Sequence, residues 1–267
     1  MDAARNTATR ERVNGFSGEP MELTCEELLR YNRQIIIPEI GEGGQRKLKE
    51  AKVFIAGVGG LGSISSYYLT AAGIGNLRIV DKDKVDYSNL NRQIIHWTRD
   101  IGEWKSISGS RKLEALNPCC SIEAVQAEIT ESNCAELVGD CSIIVDAMDN
   151  MKTRRILNAV SVGKKIPYIY GGVHQLDGMA TDFIPGRTPC LECVFPDDRA
   201  EAPSAPPGIL GPVPGLISCI QSIEAIKIIL GLDGLLINRL VCFCGYDLTF
   251  REFKISKNLE CPVCGKS

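Results

Sequence analysis

The residues of this chain that could do chemistry are a glycine-rich turn and four ionisable side chains that follow it. The turn, residues 57–62, reads Gly-Val-Gly-Gly-Leu-Gly and comes directly after an apolar run. The ionisable residues are Asp81, Arg92, Lys105 and Asp149, none of them in a Walker sequence. Glycine-turn N–H groups can hold phosphate, and two cations with a carboxylate at successive strand ends indicate a phosphoryl centre with a metal. The pattern predicts chemistry on a nucleotide, such as activation of a carboxylate with ATP.

The turn alone does not identify the nucleotide. Gly57, Gly59 and Gly62 spell G-x-G-x-x-G, which many dinucleotide enzymes share. Asp81 follows at the distance where a Rossmann domain binds the adenosine ribose. An NAD-dependent oxidoreductase is therefore an open alternative, and a glycine turn kept only for packing is another.

The segment 81–93 and Lys105 favour ATP. Hydride transfer has no use for Arg92 and Lys105, whereas in-line attack on a phosphate needs fixed positive charge where negative charge develops. Asn89 and Gln93 could orient the ribose or a phosphate. The alternative is that both cations are ordinary solvated surface charges.

Asp149 is the predicted ligand for magnesium. It follows a buried strand, at the carboxyl edge where open α/β sheets bind ligands. Mg²⁺ bridges phosphate oxygens while held by one or two carboxylates and waters, which suits a lone acid. The alternative is that Asp149 only caps the helix that follows. Asp146, within the strand, is expected to serve structure.

Two C-x-x-C pairs predict a structural zinc site. Four thiolates in this spacing suit a tetrahedral ion with no open position. The pairs lie far apart, so the ion would staple the C-terminal tail to the loop region. A redox disulfide is the alternative. The predicted ligands are Cys190, Cys193, Cys261 and Cys264.

The other cysteines are expected to be buried small side chains. His96 and His174 have no ligand spacing near them and are given no catalytic role. These cysteines are Cys25, Cys119, Cys120, Cys134, Cys141, Cys219, Cys242 and Cys244.

Composition argues against several classes of protein. The 267 residues can bury one large core, and a net charge of -3 argues against a nucleic-acid surface. We find no signal peptide, and the apolar runs near 143–145 and 226–230 are too short to span a bilayer. A cytoplasmic, reducing location is expected.

The elements that position these residues alternate between strands and helices. This alternation predicts an α/β fold with a Rossmann-like, mainly parallel sheet, helices on both faces, C-terminal antiparallel strands and a zinc-stapled tail. Residues 1–20 are expected to be a flexible leader, and 196–214 a proline-rich crossover loop. The predicted strands are 52–56, 76–81, 122–125, 142–146, 167–170, 178–184, 239–243 and 248–255. One predicted helix begins near residue 22 and runs into residues 30–34. The other predicted helices are 45–50, 63–72, 106–116, 151–163 and 216–230.

Several segments together resemble the MoeB/ThiF/HesA family, the prokaryotic relatives of ubiquitin-activating enzymes. The resemblance covers residues 23–265, nearly the whole chain. Its motifs are the segments 30–34 (Arg-Tyr-Asn-Arg-Gln), 57–62, 88–93 (Ser-Asn-Leu-Asn-Arg-Gln), 149–150 and 221–227, with both cysteine pairs.

The resemblance implies ATP-dependent adenylation of the C-terminal glycine of a small ubiquitin-like sulfur-carrier protein, with release of pyrophosphate. It implies one domain over 21–267, with a nucleotide-binding half near 50–170 and a carrier-binding and zinc half near 171–267. The roles implied are the ribose contact for Asp81, backbone approach for Gly60, the metal for Asp149, and nucleotide contacts for Asp83, Asn89, Arg92, Gln93 and Lys105.

By the same resemblance, Arg33 reaches the phosphates from the other subunit, which implies a homodimer. Ser204 stands where several relatives carry a cysteine, so adenylation without a covalent relay is expected. We expect a separate sulfur donor, and the pathway could be molybdopterin or thiamin biosynthesis or tRNA thiolation. A non-catalytic scaffold for ubiquitin-like proteins is a further alternative.

Overall fold

A computed structural model describes residues 21–196 and 208–265. The predicted leader and the centre of the predicted crossover loop, with Ser204, lie outside these residues.

The described residues build one eight-stranded sheet in the order β3-β2-β1-β4-β5-β6-β7-β8. β1 to β5 pair in parallel, and β5 to β8 pair antiparallel. This confirms the predicted mainly parallel sheet with antiparallel C-terminal strands. The strands are β1 (Lys52–Ala56), β2 (Asn76–Val80), β3 (Ser121–Val125), β4 (Ile143–Asp146), β5 (Tyr168–His174), β6 (Asp177–Phe183), β7 (Arg239–Cys244) and β8 (Thr249–Lys254).

Helices cover both faces of the sheet, as predicted. In β1, Val53 and Ile55 pack into one apolar cluster, while Phe54 and Ala56 pack into another on the opposite face. Successive side chains of a strand point to opposite faces, and a strand covered on both sides therefore needs apolar residues throughout. The helices are α1 (Cys25–Arg30), α2 (Asn32–Ile35), α3 (Gly41–Glu50), α4 (Gly60–Ala71), α5 (Lys105–Leu116), α6 (Cys134–Val138), α7 (Met151–Lys164), α8 (Leu191–Val194) and α9 (Pro212–Leu230).

Most differences from the prediction lie at element ends. Helix α4 begins at Gly60, inside the glycine turn, rather than at Ser63. The helix predicted from residue 22 into residues 30–34 is divided at Tyr31 into α1 and α2. The short helices α6 and α8 were not predicted, because four or five residues carry too little periodicity to identify a helix. α9 begins four residues before the predicted Leu216, since Pro212 is favourable in the first turn of a helix.

The length of α9 corrects one expectation. Of the helices in the described residues, α9 alone is long and apolar enough to cross a membrane, judged by length and composition only. The apolar run at 226–230 is only the last part of this helix, which begins at Pro212 and is 19 residues long. Its Ile217 and Ala225 are fully buried in apolar clusters against the sheet, so α9 is a core helix of the fold.

Sheet order places a switch point between β1 and β4. From β1 the chain runs outward to β2 and β3 on one side, and then returns to β4 on the other. In open α/β sheets, ligands bind outside the carboxyl ends of the strands at such a point. The segments there begin at Gly57 and Ala147.

Candidate active site

The glycine turn joins β1 to α4 at this switch point. Gly57 has φ 101°, and a Cβ there would lie 2.8 Å from the carbonyl oxygen of Ala147. A Cβ on Gly62 would lie 2.0 Å from the carbonyl oxygen of Gly57, so both positions require glycine for packing. At Gly59 the nearest atom, Nε2 of Gln93, would be 3.7 Å away, so packing does not account for glycine there. The turn is therefore not explained by packing alone.

Asp81 follows β2 and is tied to the turn through the backbone. Its Oδ2 accepts from the N–H of Val58 at 2.8 Å, and its Oδ1 accepts from the N–H of Asp83 at 2.8 Å. Burial raises the pKa of the carboxyl, while the positive charge of Lys105 and these two N–H groups oppose the rise. Each oxygen keeps a second lone pair for a ligand hydroxyl.

Lys105 reaches this site because the segment 83–105 closes on itself. The N–H of Val85 donates to the carbonyl of Glu103 at 2.8 Å, and the N–H of Lys105 donates to the carbonyl of Asp83 at 2.9 Å. Nζ of Lys105 lies 3.3 Å from Oδ2 of Asp83. The lysine is only 6% exposed, so the alternative of an ordinary surface charge is wrong for Lys105.

Arg92 and Gln93 lie beside the turn. A Cβ on Gly60 would be 3.8 Å from Cγ of Arg92. The guanidinium donates from Nη1 to the carbonyl of Ser88 at 2.9 Å and to Oδ1 of Asn91 at 2.9 Å. Gln93 is 5% exposed, and its Oε1 is buried without a partner among the described residues. Such an orphaned polar atom is rare and is consistent with a group held for a ligand.

Asn89 has a local structural task. Its Oδ1 accepts from the N–H of Asp86 at 3.1 Å, while Asp86 accepts from the N–H of Ser88 at 2.8 Å. These reciprocal bonds cap a short 3-10 turn, Tyr87–Asn89. The turn sets the direction in which the chain enters the segment that carries Arg92.

Asp149 and Asp146 have different surroundings after β4. Asp149 is exposed and accepts from Nδ2 of Asn150 at 3.2 Å. The cap of α7 is Asn150, whose side chain accepts from the N–H of Thr153, so the capping alternative for Asp149 is wrong. Asp146 is fully buried and forms an ion pair with Arg154 at 2.9 Å.

Arg154 is a residue that the sequence analysis missed. It donates from Nη2 to the carbonyl of Met148 at 2.6 Å, while the N–H of Met148 donates to Asp146 at 2.9 Å. The ion pair therefore holds Met148, the residue before Asp149, through both its N–H and its carbonyl. One sequence signal could have identified Arg154. It is a basic residue in the first turn of α7, eight positions after an acidic residue that ends a strand.

Arg33 makes no polar contact with the described residues of this site in its own chain. It lies exposed in α2 and makes no hydrogen bond or ion pair with the described residues. Its predicted phosphate contact stays a prediction, as do the other assigned nucleotide contacts.

The four predicted cysteine ligands meet at one place. Their sulfur atoms all lie within 4.8 Å of one another, with Cys190 and Cys261 at 3.6 Å and Cys193 and Cys264 at 3.4 Å. Tetrahedral zinc with Zn–S bonds of about 2.3 Å would separate its sulfurs by about 3.8 Å, so the cluster fits such an ion. The separations exceed a disulfide bond, and none of the cysteines is disulfide-bonded. The cluster joins α8 to the C-terminal tail.

The chain matches the model of the ThiF family over residues 31–263. It is 39% identical over 251 residues to the SAMP-activating enzyme E1 of Haloferax volcanii, covering 92% of each chain. It is 38% identical over 257 residues to the sulfur carrier protein adenylyltransferase of Thermus thermophilus, covering 92% of this chain and 93% of the relative.

Solved structures show the same fold. The structure of MccB of E. coli with ATP superposes with a TM-score of 0.79 at 25% sequence identity, covering 88% of this chain and 73% of MccB.

Proposed function

The chain belongs to the ThiF family and is an adenylyltransferase, and we propose that it adenylates the C-terminal glycine carboxylate of a small ubiquitin-like sulfur-carrier protein with ATP. Pyrophosphate is the second product. The carrier serves molybdopterin or thiamin biosynthesis or tRNA thiolation in the cytoplasm, and a separate protein donates the sulfur.

The observation that carries the proposal is a buried Lys105 beside Asp83, after β2, together with an exposed Asp149, after β4. Lys105 is a cation buried to 6% exposure beside the ends of β1 and β2. Asp149 is a carboxylate beyond β4 that is released from helix capping by Asn150. A buried cation and an exposed carboxylate that does not cap the helix, both following strands of the sheet that carries the glycine turn, suit a nucleotide triphosphate and its metal.

The reaction breaks the bond between the α-phosphorus of ATP and the oxygen that leads to the β-phosphate. The carrier carboxylate attacks the α-phosphorus and forms an acyl-adenylate, and negative charge develops on the departing pyrophosphate. Arg92 and Lys105 stabilise that charge as fixed cations, while Asp81 binds the ribose and Gly59 and Gly60 bring backbone N–H groups to the phosphates. Asp83, Asn89 and Gln93 complete the nucleotide site.

We assign the two metals to different tasks. Asp149 would hold Mg²⁺, which neutralises phosphate charge when bound. Cys190, Cys193, Cys261 and Cys264 would hold Zn²⁺ in a closed, structural site remote from the glycine turn in sequence.

The active unit is a homodimer in this proposal. Arg33 is exposed and makes no hydrogen bond or ion pair within residues 21–196 and 208–265, which leaves its guanidinium available to a neighbouring subunit. Each site would combine Arg33 of one copy with Arg92, Lys105 and Asp149 of the other.

Two alternative functions fit the site less well. An NAD-dependent oxidoreductase would use Asp81 and the glycine turn, but it has no departing phosphate on which the buried charge of Lys105 could act. A non-catalytic scaffold would have no need of Asp149, and its activity in complementation would survive Asp149→Asn.

The test is pyrophosphate exchange into ATP, measured with the purified full chain and carriers that end in Gly-Gly. We expect exchange that depends on the carrier and disappears when the terminal Gly-Gly is removed. A chain that binds ATP but supports no exchange with any such carrier contradicts the proposal. Tight binding of NAD without binding of ATP would favour the oxidoreductase.

A further inference from the structure

His96 lies in a chain of hydrogen bonds that ends on the glycine turn. Its side chain is buried, with 3% of the residue exposed. Nε2 lies 2.9 Å from the carbonyl oxygen of Val58, and Nδ1 lies 3.0 Å from Oγ of Ser108. Lys112, one turn further along α5, donates to that Oγ at 2.7 Å and pairs with buried Asp100. The chain of bonds runs from an internal ion pair to the peptide that follows Val58.

The carbonyl of Val58 fixes one proton of the ring. A carbonyl oxygen only accepts, so Nε2 of His96 carries a proton and donates to Val58. Lys112 only donates, so Oγ of Ser108 accepts from it, and Oγ can give its own proton to Nδ1 when the ring is neutral. Burial, aided by the charges of Lys112 and Lys105, lowers the pKa of His96 to about 4. At neutral pH the ring therefore has one protonation state and one tautomer.

Val58 is held from both sides. Its N–H donates to Asp81 and its carbonyl accepts from His96. The peptide between Val58 and Gly59 is trans, as all peptides of the described residues are, so the N–H of Gly59 points away from the carbonyl. No acceptor for this N–H is present among the described residues, and α4 begins at the next residue. The bond from His96 thus sets the direction of an unpaired N–H at this helix N-terminus.

Packing around Val58 supports this arrangement. Its side chain is fully buried, and a Cβ on Gly109 of α5 would lie 3.0 Å from Cγ1 of Val58. Helix α5 can therefore approach the turn closely enough for Ser108, the preceding residue, to reach His96. The same helix begins with Lys105, so one rigid element carries both the buried cation and the support for His96.

We propose that His96 is a positioning residue for the nucleotide: by holding the carbonyl of Val58, it aims the N–H of Gly59 at a phosphate group. The inference rests on the proposed function in taking ATP as the ligand, but it does not depend on the carrier. A residue that only filled the core would be replaceable by any side chain of similar size. A residue that aims a donor must itself keep its donor atom.

Two variants of His96 separate these roles. His96→Gln can place its amide nitrogen where Nε2 lies and keep the bond to Val58. His96→Leu fills much of the same volume without a donor. His174→Leu, at an exposed histidine, is the matched control. The measurements are the dissociation constant for ATP with Mg²⁺, by calorimetry on the chain alone, and the melting temperature of each variant.

We expect His96→Leu to weaken ATP binding by about 10-fold, while His96→Gln stays within about 3-fold of the unchanged protein. Equal affinities in all four proteins would overturn the proposal, as would equal losses in the two His96 variants. An unchanged chain that does not bind ATP would also overturn it. ATP binding without carrier-dependent exchange would contradict the proposed function alone and leave this comparison valid.

A second measurement covers the case in which His96→Leu does not fold. Nitrogen-15 NMR of the histidine rings in the unchanged protein at pH 7 reports which ring nitrogen is protonated. We expect a protonated Nε2 and an unprotonated Nδ1 at His96. An unprotonated Nε2 could not donate to the carbonyl of Val58 and would overturn the proposal.

Discussion

Asn150 caps helix α7 and at the same time donates to Asp149. Its Oδ1 accepts from the N–H of Thr153 at 2.9 Å, and its Nδ2 lies 3.2 Å from Oδ1 of Asp149. The two neighbouring residues therefore divide two tasks. Asn150 stabilises the helix, and the carboxylate of Asp149, which takes no part in the cap, follows β4 at the carboxyl edge of the sheet.

This division predicts opposite behaviour for two adjacent variants. Asp149→Asn should abolish carrier-dependent pyrophosphate exchange, by at least about 100-fold, because the metal ligand loses its charge. Its melting temperature should hardly change. Asn150→Ala should lower the free energy of unfolding by about 1 kcal/mol through loss of the cap. Loss of stability without loss of exchange in Asp149→Asn would contradict the assignment.

The buried cation Lys105 gives a second prediction. Lys105→Met keeps a long side chain in the 6% exposed position but removes the charge. We expect kcat/KM for exchange to fall by about 100-fold or more, because a fixed charge beside the departing phosphate is lost. Lys84→Met, at an exposed lysine in the same segment, is the control and should keep its rate. A Lys105→Met enzyme with the unchanged rate would exclude the role.

The parts of the candidate site that could be predicted from the sequence are those that depend on short, local sequence patterns. The glycine turn, Asp81 and the strand before Asp149 follow from a strand–turn–helix pattern that is contained within short windows. The burial of Lys105 could not be predicted in this way. It depends on a backbone hydrogen bond between Val85 and Glu103, which are far apart in the sequence and form no periodic pattern. His96 was dismissed because its partner, Val58, lies 38 residues earlier in the chain.

The cysteine cluster predicts one tightly bound zinc ion per chain. Treatment with a strong chelator should lower the melting temperature, because an ion held by the four cysteines would join α8 to the C-terminal tail. Metal analysis of Cys193→Ser should show less zinc than the unchanged chain. Cys242→Ser, in β7 and outside the cluster, should retain full zinc content. Equal zinc in both variants would place the metal elsewhere.

A buried carboxyl pair predicts that stability depends on pH. Burial, together with neighbouring Glu224, raises the pKa of Asp182 from 3.8 to about 9. The folded protein then holds a proton that the unfolded chain releases, so its stability is full below pH 3.8 and is lost as pH rises towards 9. Both carboxylates accept from the N–H of Leu236, at 3.1 Å and 2.9 Å, which fixes the loop after α9 to β6.

The corresponding variant is Asp182→Asn, whose amide can replace the protonated carboxyl. We expect its melting temperature to fall less between pH 6 and pH 9 than that of the unchanged protein. Asp233→Asn, at an exposed acid in the same loop, should retain the full fall. The same pH dependence in all three proteins would show that the Asp182 carboxyl does not cause it.

The proposed composite site predicts recovery of activity in mixed dimers. Arg33→Ala and Lys105→Met should each be inactive alone. In a hybrid of the two, one site joins the intact Lys105 of one copy with the intact Arg33 of the other, while the second site carries both defects. Random mixing should therefore restore about a quarter of the unchanged exchange rate. If Arg33 served its own chain, each site of the hybrid would keep one defect and no activity would return. Mixing Lys105→Met with Asp149→Asn is the control, because both residues belong to the same chain's half of the site and no intact site can form.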